Sequence, residues 1–159
     1  MKRRRMWILG AGACLTALAA VAIVALPASG TAPAGSSFFA KLDGEHDVPA
    51  ADPDGYGTFS ASFNGTKLCY GLQVVKIDAP IAAHIHNGAV GKNGPIAVPL
   101  NAPSTGAAAG STGCKTLSAT LANAIKADPG AYYVNVHTNA FPNGAIRGQL
   151  FQATAAQDK

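Results

Sequence analysis

Three histidines of this 159-residue chain offer the clearest chemistry: His84 and His86, one residue apart, and His137. In an extended strand alternate residues face the same way, so His84 and His86 present two imidazoles on one side, with α-carbons about 6.6 Å apart. Rotamers can bring their nitrogens to the ~3.3 Å separation that two metal–nitrogen bonds of ~2.0–2.1 Å require. A third imidazole from a neighbouring strand would complete a three-histidine site with an open position, suited to one copper or zinc ion. The same side chains suit a second reading, an interstrand hydrogen-bond network in which amide and guanidinium groups hold neutral imidazoles. Arg147 favours the network, because a fixed cation repels a dication, although it can also hold an anion or a metal-bound oxygen. The fourth histidine lies in Glu45-His46-Asp47, which could form a ligand cluster, although an acid-rich turn is ordinarily just solvated.

Strand alternation must position these groups. Over residues 81–86, Ile81, Ala83 and Ile85 share one face while His84 and His86 share the other. Over 132–138, Tyr132, Val134 and Val136 take the apolar side and leave Asn135 and His137 opposite. Over 145–152, Ile146 and Leu150 turn to the core, and Arg147 and Gln149 turn away. If these three strands are sheet neighbours, His84, His86, Asn135, His137, Arg147 and Gln149 form one polar patch, whether it binds a ligand or only holds the fold together.

The surrounding chain reads as all-β. Short apolar runs at 38–42, 57–63, 67–75, 81–86, 95–100, 132–138 and 145–152 are separated by turn residues at roughly 8–12-residue intervals, the pattern of a sandwich or barrel. Asn64-Gly65 is the strongest hairpin signal, and Asn87-Gly88, Asn93-Gly94 and Asn143-Gly144 mark further turns. Leu117, Leu121 and Ile125 recur at helical spacing until Asp128-Pro129-Gly130 stops the run, which predicts one short amphipathic helix. Residues 101–113, rich in Ala, Gly, Ser and Thr, read as a mobile loop.

Lysines and arginines number 12 against 8 acids, but Lys2, Arg3, Arg4 and Arg5 supply four of the cations. Without them the charges balance, so the basic pI describes a leader and not a nucleic-acid surface. That leader has a basic start, an uncharged apolar run over 7–26 and small residues after it, the layout of a secretory signal peptide or, if uncleaved, of an N-terminal anchor. Residues 1–34 are thus expected to be signal and linker, 35–152 the domain, and 153–159 a frayed tail. The chain is expected to be secreted or to sit at the cell envelope, touching a membrane only through the leader. Beyond residue 34 only Cys69 and Cys114 remain, and in an exported chain an even count reads as one disulfide. No glycine-framed nucleophile elbow or phosphate-cradling loop is present, and the sole Trp lies in the leader, which argues against nucleic-acid binding.

Four ordered motifs carry a resemblance: Leu42-Asp43-Gly44 leading to Val48-Pro49; Ala83-His84-Ile85-His86-Asn87-Gly88 with Asn93-Gly94-Pro95; Tyr133-Val134-Asn135-Val136-His137-Thr138; and Pro142-Asn143-Gly144-Ala145-Ile146-Arg147-Gly148-Gln149-Leu150. Together they resemble the CHRD domain, from about Phe38 to Leu150. The resemblance implies an immunoglobulin-like, Greek-key β-sandwich or barrel of about seven or eight strands, in an extracellular module of undefined molecular activity. The family usually has Glu just before Val-Pro, where this chain has Asp47. His-x-His on a Greek-key strand is also similar to copper/zinc superoxide dismutases, but their dinuclear site needs six histidines and this chain has four. Two functions follow as expectations. One is a non-catalytic exported module with an extracellular or envelope ligand. The other is a mononuclear copper or zinc protein, with redox activity as an option, built on His84, His86 and His137.

Overall fold

The computed structural model describes residues 37–153; the leader and the end of the tail lie outside the described residues. Nine strands form one antiparallel sheet: β1 (Ser37–Asp43), β2 (Tyr56–Asn64), β3 (Lys67–Val75), β4 (Pro80–Asn87), β5 (Ile96–Leu100), β6 (Ala108–Thr116), β7 (Tyr132–Thr138), β8 (Ile146–Gln149) and β9 (Phe151–Gln152). Their spatial order is β5-β4-β7-β8-β1-β2-β3-β6, with β9 paired to β1. The sheet curls into a nearly closed barrel, so the barrel form of the expected all-β class is the one adopted.

Alternation builds the interior. Phe38, Ala40 and Leu42 of β1, Phe59 and Ala61 of β2, and Leu68, Tyr70, Leu72 and Val74 of β3 point inward, while their neighbours are solvated or half-buried. Ala83 and Ile85 of β4, Val98 and Leu100 of β5, Val134 and Val136 of β7, and Ile146 of β8 close the core from the other side. Each large aliphatic or aromatic side chain buried this way stabilises the fold by about 1.5–3 kcal/mol. The short helix α1 (Ala119–Ala127) starts where Ser118 Oγ accepts the Leu121 N–H at 3.2 Å, an N-cap bond, and it buries Ala122 and Ile125.

Three expectations are corrected. The low-complexity stretch at 101–113 is not simply a loop, because Ala108–Thr116 pairs with β3 along its whole length. Its small residues show no apolar alternation since neither of its faces enters the core, and the exposure pattern alternates only between exposed and half-buried. Ile81 does not join the core. A register irregularity between Pro80 and Ala82 breaks the alternation there, and Ile81 is 53% exposed. The last predicted strand is split, since Leu150 leaves the ladder and donates its N–H to Tyr132 O.

The two sheet edges, β5 and β6, are linked by side chains instead of a ladder. Just after β5, the Asn101 N–H donates to the Tyr70 hydroxyl at 2.7 Å and its Nδ2 to Thr112 O at 3.0 Å, while Ser111 Oγ donates to Asn101 O at 2.6 Å. Cys69 and Cys114, directly opposed in the β3–β6 register, are disulfide-bonded as expected.

Candidate metal centre

The three strands carrying the predicted patch are neighbours. In the β4–β7 register His84 faces Asn135, His86 faces Tyr133 and Ala82 faces His137; in the β7–β8 register Asn135 faces Arg147 and Tyr133 faces Gln149. All six predicted residues therefore emerge on the outer face of one three-stranded ribbon. Loops around residues 47–51, 88–94 and 139–144 fold over it, which is why polar groups there are buried: Asn135 is 2% exposed, His137 8%, His86 9% and Arg147 1%.

Within this face the side chains divide into two groups. The imidazoles converge, so that one ligand atom from each of His84, His86 and His137 lies within 4.8 Å of the others. His84 Nδ1 and His137 Nε2 are 3.2 Å apart, the spacing of two nitrogens around one shared ion or one shared proton. The other nitrogens define the tautomers. His86 Nδ1 is 2.9 Å from Gly94 O and His137 Nδ1 is 3.1 Å from Pro142 O. A carbonyl can only accept, so both Nδ1 atoms carry a proton, and in the neutral ring each Nε2 keeps its lone pair. This is the outer-sphere arrangement that orients metal-binding histidines. His86 Nε2 is buried and has no hydrogen-bond partner.

Burial lowers the pKa of His84, and the nearby His137 and His86 lower it further. Burial likewise lowers that of His137; the Pro142 carbonyl opposes this, His86 reinforces it, and Asp47 opposes it. Both are therefore neutral, and able to ligate, at physiological pH.

Arg147 points away from the cluster. Its guanidinium donates to Asn93 Oδ1 at 3.1 Å, Ala89 O at 3.2 Å and Lys92 O at 2.7 Å, and Gln149 Nε2 donates to Gly88 O at 2.8 Å and Gly130 O at 2.6 Å. These two residues clamp the 88–94 loop, and Asn93 passes the restraint on through Nδ2 to Val48 O at 2.8 Å. The Arg147 guanidinium lies 3.4 Å over the Tyr133 ring, and the His86 ring stacks on Tyr133 at 4.8 Å with 7° between planes. Arg147 and His86 come from the strands on either side of β7, and a guanidinium and an imidazole at these distances cannot share one ring face. Tyr133 thus separates the cation from the imidazoles.

Tyr133 and Asp47 are the members of the site that residue patterns did not single out. Tyr133 shares alternation with Asn135 and His137, so its place on this face was readable. Asp47 was read as part of a solvated turn. In that turn Glu45 is exposed and His46 pairs with Asp43 at 2.6 Å, but Asp47 is buried, 5% exposed. Its Oδ1 accepts the Val48 N–H at 2.8 Å while Oδ2 has no partner. Burial raises the Asp47 pKa; the Val48 N–H, the Arg147 guanidinium, the His137 imidazole and the Asn135 amide all pull it down. Gly144 allows this packing: its φ is +140°, and a Cβ there would lie 2.1 Å from Asp47 Oδ2 and 2.4 Å from Asn135 Nδ2. Among the described residues, the buried side-chain polar atoms without partners are Asp47 Oδ2, His86 Nε2 and Asn135 Oδ1, and all three belong to this face.

The comparison with known proteins agrees with the motifs that frame the site. The CHRD domain family model matches residues 38–150, which spans every strand from β1 to β8 and all of the patch. Neither curated proteins nor solved structures give a match. The match covers most of the chain, and the chain belongs to the CHRD domain family.

Proposed function

We propose that this chain is an exported CHRD module that holds one copper or zinc ion on its outer sheet face through His84, His86 and His137. One observation carries the reading: three imidazoles converge so that one ring nitrogen of each lies within 4.8 Å of the others, and the buried Nε2 of His86 has no other partner. A purely structural network would satisfy that nitrogen, since an orphaned buried polar atom costs about 1–3 kcal/mol. The objection from Arg147 weakens, because the guanidinium is engaged by the 88–94 loop behind the Tyr133 ring. Export rests on the leader pattern and on the Cys69–Cys114 bridge, which suits an oxidising compartment.

Elemental analysis of tag-free protein loaded with Cu or Zn and desalted tests the reading. Wild type should retain one ion per chain, and His84→Ala and His86→Ala should lose it. Gln149→Ala, which loosens the loop clamp without touching the imidazoles, should keep it. Wild-type protein that stays metal-free after loading would refute the centre.

A further inference from the structure

The donor set decides which ion such a centre prefers. Among the described residues, the ligand groups that converge within 4.8 Å of one another are these imidazoles alone, and no carboxylate or thiolate joins them. Asp47 stands outside that group, and part of its charge is taken up by Arg147, whose guanidinium is held by the 88–94 loop. An ion there receives no anionic donor to offset its charge. Two of the three ligands are buried, His86 at 9% and His137 at 8% exposed, so water restores little of the lost hydration from their side. The cost of desolvating an ion grows as the square of its charge, so a dication loses about four times what a monocation of like size loses. Cu(I) also accepts three donors without a fourth, whereas Zn(II) and Cu(II) gain from additional, preferably anionic, ligands.

Resting on the metal-centre reading above, we propose that the His84–His86–His137 site takes copper as Cu(I) in preference to Cu(II) and Zn(II). Ala82 gives the argument its sharpest probe. It lies two residues from His84 on the same face, in register with His137, and is only half-buried. A carboxylate there would supply the anionic donor that the site lacks, with all three imidazoles left in place.

The test uses metal-free, tag-free protein and measures three dissociation constants. Cu(I) is titrated anaerobically against bicinchoninate with ascorbate as reductant, Cu(II) against glycine, and Zn(II) against a chromophoric chelator. Cu(I) should bind at least a hundredfold more tightly than Cu(II), which places the bound couple about 120 mV above the aqua couple at ~59 mV per tenfold. Cu(I) should also bind more tightly than Zn(II). Ala82→Asp should cut the Cu(I)/Cu(II) ratio at least tenfold, while the uncharged Ala82→Asn leaves it unchanged. A smaller wild-type ratio, tighter Zn(II), or a ratio insensitive to Ala82→Asp overturns the preference but leaves the three-histidine centre standing. Failure of all three ions to bind at equimolar concentration removes the centre itself.

Discussion

At the scale of single residues, the arrangement separates two jobs that the same strand face performs. Arg147 and Gln149 satisfy backbone carbonyls of the 88–94 loop, and the histidines are left to face one another. The histidines were legible because the β4–β7 register is regular from Ala82 to Asn87, and a two-residue period leaves little choice of face. The direction of the guanidinium was not legible, since alternation says which side a group leaves the sheet but not where a long side chain ends. Proton linkage gives a prediction at this scale. In the unfolded chain His84 and His137 titrate near the ordinary imidazole value of about 6.5, and in the fold both titrate lower. As pH falls below that value, the unfolded state takes up protons first, so the metal-free protein loses stability, and the loss is complete once pH drops below the folded-state values. Asp47, raised in the fold, acts in the opposite sense in the acid range, where its contribution fades as pH rises. Thermal denaturation of the metal-free protein should show a midpoint that is flat from pH 8 to 7 and falls from pH 7 to 5. The slope over pH 7 to 6 should vanish in the His84→Gln/His137→Gln double variant; a flat wild-type profile would contradict the buried, neutral imidazoles.

At the scale of elements, β6 shows where sequence reading fails for a physical reason. A strand is recognisable when one face is apolar, and Ala108–Thr116 has no inward apolar face to display. What holds it is the β3 ladder, which runs from Lys67↔Thr116 to Val75↔Ala108, together with the Cys69–Cys114 bridge and the Asn101 contacts. The even cysteine count made the bridge readable, but not the strand it fastens. A 45-residue separation implies a closed loop whose constraint on the unfolded chain is worth ~3–4 kcal/mol. The Cys69→Ser/Cys114→Ser double variant should lose about that much stability in denaturant titration. Its β6 amides should exchange faster with solvent, whereas those of β4 and β7 keep their protection. Equal loss of protection in both regions would show that β6 is integral to the core, contrary to this account.

At the scale of the whole molecule, the barrel explains why the candidate centre lies outside the core. Its interior is filled by Phe38, Phe59, Leu72, Ile85, Val134 and Ile146, leaving the reverse face of β4, β7 and β8 as the place where polar side chains gather beneath loops. Those loops cover His86 and His137 and leave His84 half-buried. The all-β class and the place of the patch were readable from turn spacing and alternation. The burial of Asp47 was not, because it depends on the 44–52 turn folding back over β7 and β8, where Ala51 donates to Gly44 O and Asp52 to Ala145 O. X-ray absorption spectroscopy of the copper- or zinc-loaded wild-type protein addresses the central claim most directly. The account predicts three imidazole nitrogens at about 2.0–2.1 Å with the outer-shell scattering of the rings. A first shell with fewer than three imidazoles, or one containing sulfur, would contradict it.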